Sequence, residues 1–426
     1  MGSSPNPAQE RNITVATSQT ADRPKEGSAV NTAFAPEALQ RNLAVDAYRG
    51  LVMLLMMGEV LRFAEVARSY PNSTIWQWLA FNQSHVEWAG MSLHDTIQPG
   101  FTFLAGVALP YSVRSRVRKG ESFQRMLFHT MWRSVVLIAL GIFLRSTAGP
   151  ITYYTFEDTL TQIGLGYTFG FLLTFAKPRW QWIALGGILF GYWLAWALYP
   201  TPGPGFNYAL VGVPGDWQGQ IYTGFAAHWN KNANLGNAFD VWFLNLFPRT
   251  SRFAFNGGGY LTLSFIPTLG TMLLGVIAGR WFIESAPKIP VRRFLIAAVA
   301  LMAAALLLHF AGICPIVKRI WTPAWVLWSG GVAFVFLAAF SWVIDVKKNR
   351  KIAFPLVVVG MNSIAAYVMA ERCREFVESS FQIHLGMRFL NAMGTALEPF
   401  FLGVLTLLTY WLVLYWMYKK KIFIRI

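Results

Sequence analysis

Six long apolar stretches, none of which contains Asp, Glu, Lys or Arg, limit the folds open to this chain. They are 19–25 residues long and lie at 180–199, 260–279, 294–313, 320–344, 352–370 and 399–418. A bilayer core is about 30 Å thick, and a helix rising 1.5 Å per residue crosses it in about 20 residues. Each run therefore predicts a membrane-spanning helix.

Four weaker candidates carry charges or are shorter, at 43–64, 95–113, 128–144 and 160–176. Only 13% of the residues are charged, whereas about 25% is usual for soluble domains. Strand-period alternation, which a membrane barrel requires, is not found. The sequence thus predicts an all-α, polytopic bundle of about ten spans.

The net charge of +16 supports the same interpretation. In a soluble protein such a surplus would suggest nucleic acid as a partner. With ten alternating spans and a cytoplasmic N-terminus, 24 basic residues fall in cytoplasmic segments and 11 on the far side. This bias follows the positive-inside rule. We therefore expect both termini in the cytoplasm, the lipid bilayer as the surroundings and no nucleic-acid partner.

Two segments differ in composition from the spans. Residues 1–40 are polar and predict a disordered cytoplasmic tail ahead of a membrane domain at 41–426. Residues 200–259 are rich in Gly, Pro, Asn and aromatic side chains, including Trp217 and Trp229. Flexible linkers are poor in aromatic residues, so this loop predicts an ordered, aromatic-rich extracytoplasmic cap.

The stretch 85–99 is the clearest candidate for chemistry, and it lies at the extracytoplasmic mouth of the predicted bundle. His85 can accept a proton near neutral pH, and either Asp95 or Glu87 could orient its ring. An exposed loop histidine with solvating neighbours is the simpler alternative. Glu59 is a second candidate, because carboxylates inside a membrane span are costly and are usually retained for function.

Other polar positions have simpler structural explanations, although we include them as candidates for binding substrate or donor. Lys318 and Trp321 lie near the outer surface, where interfacial anchoring explains them. Asn362 lies within a span, where hydrogen bonding between helices is the simpler interpretation. Gln162 opens the fourth span. The sequence contains no P-loop and no His, Cys and Asp cluster at metal-ligand spacing.

Several motifs together resemble the heparan-α-glucosaminide N-acetyltransferase family over about 380 residues, from 41 to the C-terminus. The motifs are LAVDAYRG at 43–50, HVEWAG at 85–90, TQIG at 161–164, KRIWTP at 318–323, GMNSI at 360–364 and YKKKIF at 418–423.

The resemblance implies transfer of acetyl from cytosolic acetyl-CoA to an extracytoplasmic amino sugar or glycan. It makes His85 the acetyl carrier or the general base, with Asp95 as its orienting partner. Glu59 would assist proton transfer. We also expect a multi-pass protein of a bacterial inner membrane, with a homodimer as one option. The residues assigned to substrate or donor binding are Glu87, Trp88, Gln162, Lys318, Trp321 and Asn362.

Two other functions remain open on the sequence. A transporter for a glycan or lipid-linked intermediate would also need intramembrane charges and an outer cap. The lack of an internal repeat counts against a transporter built from inverted repeats. A non-catalytic membrane partner in polysaccharide assembly is the third interpretation.

Overall fold

A computed structural model describes residues 42–147 and 149–424 of the chain. The predicted tail at 1–40 lies outside the described residues. Within them, regular secondary structure is helical, apart from one isolated antiparallel bridge between Ala89 and Val317. The α-helices are α1 Leu43–Met57, α2 Phe63–Ser69, α3 Thr74–Gln83, α4 Ile97–Arg118, α5 Phe123–Ser146, α6 Thr159–Thr174, α7 Pro178–Leu198, α8 Leu235–Phe243, α9 Phe265–Ser285, α10 Val291–Phe310, α11 Pro323–Ser341, α12 Arg350–Met361, α13 Ser363–Arg372, α14 Arg374–Leu390 and α15 Glu398–Lys419.

Six helices in the described part of the chain are long and apolar enough to cross a membrane. They are α5, α7, α9 with its preceding turn, α10, α11 with its C-terminal extension, and α15. Five coincide with the apolar runs identified in the sequence, and α5 covers the weaker run at 128–144. The prediction of an all-helical protein with several membrane spans is therefore confirmed, with six candidate spans among the described residues.

The run at 352–370 differs from the prediction of one straight span. It forms α12 and α13, which meet at Asn362 with a bend of 70°. Counting this pair as one span gives seven. Helices α1 and α6 have only 15 and 16 residues, which is short for a bilayer crossing. A total of ten spans therefore stays a prediction.

Helix α9 lies at the centre of the bundle and packs closely against α4. A Cβ atom added at Gly106 of α4 would lie 1.9 Å from the backbone oxygen of Met272. One added at Gly275 of α9 would lie 1.9 Å from the oxygen of Phe103. Small residues let membrane helices approach until their backbones touch. This contact fixes α4, whose first turn borders the candidate site.

The segment at 200–259 packs on the loop that precedes α4. The Trp88 indole donates a hydrogen bond to the backbone oxygen of Trp229 at 3.1 Å. Trp217 packs edge-on against Trp88 with ring centroids 5.9 Å apart. Trp229 also stacks on Trp196 of α7. These contacts hold the loop at 85–96 against the helical bundle.

We expect Gly106→Ala to destabilise the protein by about 1–3 kcal/mol, because its Cβ meets backbone atoms that cannot move aside. Gly187→Ala on α7 is the matched control, since its Cβ would meet no atom within 4 Å. Thermal unfolding in detergent, followed by tryptophan fluorescence, compares the two. Equal unfolding temperatures would contradict close α4–α9 packing.

Candidate active site

The structure brings together His85 and Asp95, which lie at opposite ends of the loop between α3 and α4. The Nδ1 atom of His85 is 2.7 Å from Oδ1 of Asp95. The His85 side chain is 36% exposed, whereas the Asp95 side chain is 1% exposed. A buried carboxylate thus holds the ring of an accessible histidine, which is the arrangement that orients an imidazole for chemistry.

The loop itself fixes the other oxygen of Asp95. Its Oδ2 atom accepts hydrogen bonds from the backbone N–H groups of Val86, at 3.3 Å, and Ser92, at 3.0 Å. The Ser92 hydroxyl is also 3.0 Å away. Asp95 belongs to a short 3₁₀ turn, His94–Thr96, that leads directly into α4. The carboxylate is therefore oriented by local backbone before it meets His85.

Lys318 completes the cluster from a distant part of the chain. Its Nζ atom is 3.1 Å from Oδ1 of Asp95 and 3.0 Å from Nδ1 of His85. Lys318 is only 4% exposed, so it is not the interfacial anchor that the sequence suggested. The Thr322 hydroxyl, at the N-cap of α11, binds the backbone of Pro315 and Val317 and so shapes the loop that carries Lys318.

The two loops also bind each other through their backbones. The N–H of Gly90 donates to the oxygen of Ile316 at 3.0 Å. The guanidinium of Arg319 donates to the backbone oxygens of Val86, at 3.2 Å, and Gly258, at 2.7 Å. It also lies over the ring of Tyr260. The position of Lys318 relative to Asp95 is therefore set by several independent contacts.

The charges determine which nitrogen of His85 carries the proton. Lys318 stabilises Asp95 as a carboxylate, so the 2.7 Å contact needs a proton on Nδ1 of His85. The ammonium of Lys318 is only a donor, so it then bonds Asp95 and not Nδ1. The Nε2 atom then keeps its lone pair. Burial lowers the pKa of His85, and the positive charge of Lys318 lowers it further, while Asp95 opposes both effects. The ring is thereby favoured in its neutral, nucleophilic form.

His85 and Lys318 open into a cavity of about 400 Å³ at one end of the bundle. It is bordered by α1, α4, α5, α13 and the loops before α6, α9 and α11. The polar residues that line it are Glu59, His85, His94, Gln98, Arg145, Glu157, Asp158, Thr159, Asn256, Tyr260, Lys318, Tyr367 and Glu371.

Glu59 lies in this cavity, as its place near the end of the first predicted span suggested. Its partner is a residue that the sequence analysis did not single out. The Oε1 atom of Glu59 is 3.2 Å from Nε2 of His94. The His94 ring packs against the His85 ring, with centroids 4.6 Å apart. The site therefore contains two histidine–carboxylate pairs side by side.

The other predicted residues lie elsewhere. Glu87 is exposed outside the cavity, where its carboxylate accepts a hydrogen bond from Trp217 at 3.1 Å. Trp88 is buried beneath Trp217. Trp321 is also buried, and its indole donates to the hydroxyl of Thr271. The described residues that line the cavity do not include Glu87, Trp88 or Trp321.

Gln162 and Asn362 join segments of the backbone. The amide of Gln162, fully buried, donates to the oxygens of Phe156 and Thr262. Asn362 binds the backbone of Ile422 and Ile424 and so ties the C-terminal segment to the bend between α12 and α13. The structure does not bring either residue to His85.

Arg145, Glu157 and Glu371 line the wall of the cavity and were missed at the sequence level. Arg145 and Glu371 lie near the ends of apolar runs, where flanking charges are usual and carry little signal. The signal for His94 was its position next to Asp95. Among the residues described, no three His, Cys, Asp or Glu side chains are grouped as a metal ion would require.

No family model matches the chain. Two curated proteins are similar to it. Heparan-alpha-glucosaminide N-acetyltransferase of Homo sapiens is 26% identical over 90% of this chain and 59% of its own length. The Mus musculus protein of the same name is 25% identical over 95% of this chain and 64% of its own length. The chain is a distant relative of these acetyltransferases.

The relationship to the heparan-alpha-glucosaminide N-acetyltransferases confirms the resemblance drawn from the motifs. The chain spans about three fifths of the length of these curated relatives. The name of the relatives describes acyl transfer to a nitrogen atom, a reaction that needs an activated nucleophile or base. Among the described residues, the cluster of His85, Asp95 and Lys318 has a geometry that suits such a nucleophile or base.

We expect Lys318→Gln to raise the pKa of His85, because a nearby positive charge no longer opposes the imidazolium while Asp95 still favours it. Diethyl pyrocarbonate reacts with a histidine ring only when that ring is neutral. The pH dependence of modification at His85, resolved by peptide mass spectrometry, therefore reports this pKa. Modification should begin at a higher pH in Lys318→Gln. Lys318→Arg keeps the charge and serves as the control. An unchanged or lowered pKa in Lys318→Gln would disprove the electrostatic role of Lys318.

Proposed function

We propose that this protein is a membrane acyltransferase that moves acetyl from acetyl-CoA to the amine of an extracytoplasmic amino sugar or glycan. The observation that carries the proposal is the cluster at His85. The Nδ1–H of His85 is directed at Asp95, which also binds Lys318, and the Nε2 atom has no partner among the described residues. Distant relatives named as N-acetyltransferases support the same reaction class.

His85 would act through its Nε2 lone pair in one of two ways. As acetyl carrier, Nε2 attacks the thioester carbon, the C–S bond breaks and CoA leaves as the thiolate. The acceptor amine then attacks the acyl carbon and releases Nε2. As general base, Nε2 takes the proton of the amine while the amine attacks the thioester directly, the C–S bond breaks and CoA leaves as the thiolate. Asp95 stabilises the positive charge that the ring acquires in both routes.

The chemistry of the cavity fits a polar, amine-bearing acceptor. Glu157 and Glu371 place carboxylates on its wall, and Asn256 adds an amide. Carboxylates and amides hydrogen-bond sugar hydroxyls and attract an ammonium group. Tyr260 offers an aromatic face whose ring centroid is 6.4 Å from that of His85. We propose that the acceptor sugar lies between this face and the carboxylate wall.

Helix α4 links this site to a basic segment. Its first turn borders the cavity, and its last turn leads into Arg116, Lys119 and Arg125. Such a segment attracts an anionic donor such as acetyl-CoA to its own face of the protein. We propose ten spans with this segment and both termini in the cytoplasm of a bacterium, and the loop 200–259 as the outer cap. The cavity would then face the extracytoplasmic side.

We expect purified protein in lipid nanodiscs to release CoA from acetyl-CoA when glucosamine is added. His85→Ala should reduce this release by about 10³-fold or more, because it removes the reacting nitrogen. Asp95→Asn should reduce it by about 10²–10⁴-fold, as loss of an orienting carboxylate does in other histidine sites. His384→Ala, a change at an exposed histidine on α14, is the control. Thiol detection of free CoA measures the rate.

Two results would contradict the acyltransferase. Equal rates of CoA release in His85→Ala and in the unchanged protein would show that His85 takes no part in the reaction. Flux of a glycan across vesicles without CoA, together with no acetyl transfer to any amino sugar, would favour the transporter.

A further inference from the structure

A second histidine–carboxylate pair, His94 with Glu59, lies beside the pair of His85 and Asp95. His94 is buried, with 9% of its side chain exposed, and its Nε2 atom is 3.2 Å from Oε1 of Glu59. Glu59 is 53% exposed and reaches the pair from the 3₁₀ turn after α1. The two histidine rings lie 4.6 Å apart and are tilted by 53°. Both rings line the same cavity.

Acyl transfer to an amine requires a base that accepts a proton from the amine, and His85 cannot be that base when it carries the acyl group. The attacking amine must lose a proton as the new C–N bond forms. If Nε2 of His85 is bonded to the acyl group at that moment, His85 cannot accept this proton. Another base is then required within reach of the acyl carbon.

We propose that His94, positioned by Glu59, is a second catalytic residue, the base that accepts the proton of the acceptor amine. The proposal rests on the proposed function and deepens it. It divides the reaction between the two pairs: His85 with Asp95 carries the acyl group, and His94 with Glu59 handles the proton. It also implies an acceptor whose amine is basic enough to need such help, such as the primary amine of an amino sugar.

The contacts of His94 fit this assignment. Nε2 of His94 lies 3.2 Å from the Glu59 carboxylate, which as an anion can only accept, so we assign the proton of the neutral ring to Nε2. Its Nδ1 atom has no hydrogen-bond partner among the described residues and keeps its lone pair. Once Nδ1 takes up a proton, the negative charge of Glu59 stabilises the resulting imidazolium.

The step balances without any further reagent. The amine nitrogen forms a bond to the acyl carbon, the bond from that carbon to Nε2 of His85 breaks, and its electron pair returns to the ring. The proton of the amine passes to Nδ1 of His94. It leaves afterwards to water in the cavity, beside the half-exposed Glu59, and His94 is restored.

A histidine that only fills space would show a different pattern of effects. Its loss would disturb the neighbouring His85 ring and would slow every acceptor alike. Every amine loses a proton in this step, so a base matters most for an amine whose adduct holds that proton tightly and least for one whose adduct gives it up readily to water. Hydroxylamine is a nucleophile of the second kind, and glucosamine is of the first kind.

The test uses the full chain in lipid nanodiscs with acetyl-CoA and either glucosamine or hydroxylamine, and mass spectrometry measures the acetylated products. We expect His94→Gln to slow acetylation of glucosamine at least about 100-fold and to change that of hydroxylamine far less. Glu59→Gln should slow glucosamine by a smaller factor, because it keeps the hydrogen-bond acceptor and loses the charge. His384→Gln is the control for both acceptors.

Two outcomes would overturn the role of His94 while leaving the acyltransferase intact. One is glucosamine acetylation in His94→Gln at the rate of the unchanged protein. The other is an equal loss for glucosamine and hydroxylamine, which indicates a purely structural residue. Failure of the unchanged protein to acetylate either acceptor would instead overturn the proposed function, and the role of His94 with it.

Discussion

The buried ion pair between Asp95 and Lys318 is the interaction on which the site depends. Asp95 precedes α4 and Lys318 precedes α11, so the pair joins two loops more than two hundred residues apart in the chain. Removing one partner of such a pair leaves an uncompensated buried charge, which costs about 3–5 kcal/mol. Arrangements of the two loops that leave either charge buried without its partner are therefore disfavoured, and this restricts the position of His85. The Gly90 N–H and the Arg319 guanidinium also join these segments through hydrogen bonds to backbone oxygens.

The sequence predicted the parts of the fold that hydropathy reports. The runs at 180–199 and 399–418 correspond closely to Pro178–Leu198 and Glu398–Lys419, because an apolar surface of that length must face lipid or core. The bend at Asn362 was not predictable in this way. It lies within an apolar run, and at the bend the Asn362 side chain donates to the backbone oxygen of Ile422 and accepts from the N–H of Ile424, both distant in the sequence.

The same contrast applies to the site. His85 and Asp95 are close in sequence, and their pairing was predictable from local spacing together with the family motif. Lys318 was found in a motif, yet its partner was not, because the contact with Asp95 depends on how two loops pack. Glu59 was predicted from the cost of placing a carboxylate near a membrane, but its partner His94 was not. Sequence patterns find charged groups more readily than the pairs they form.

The orientation of His85 links the ion pair to the proposed chemistry. Lys318 keeps Asp95 ionised, Asp95 holds Nδ1–H, and Nε2 is left to face the cavity. Nitrogen-15 NMR of histidine-labelled protein in nanodiscs observes this state directly, with His85→Gln used to assign the signals. Near neutral pH we expect His85 to be uncharged, with its proton on Nδ1. A proton on Nε2 instead, or a fully charged ring, would contradict this arrangement.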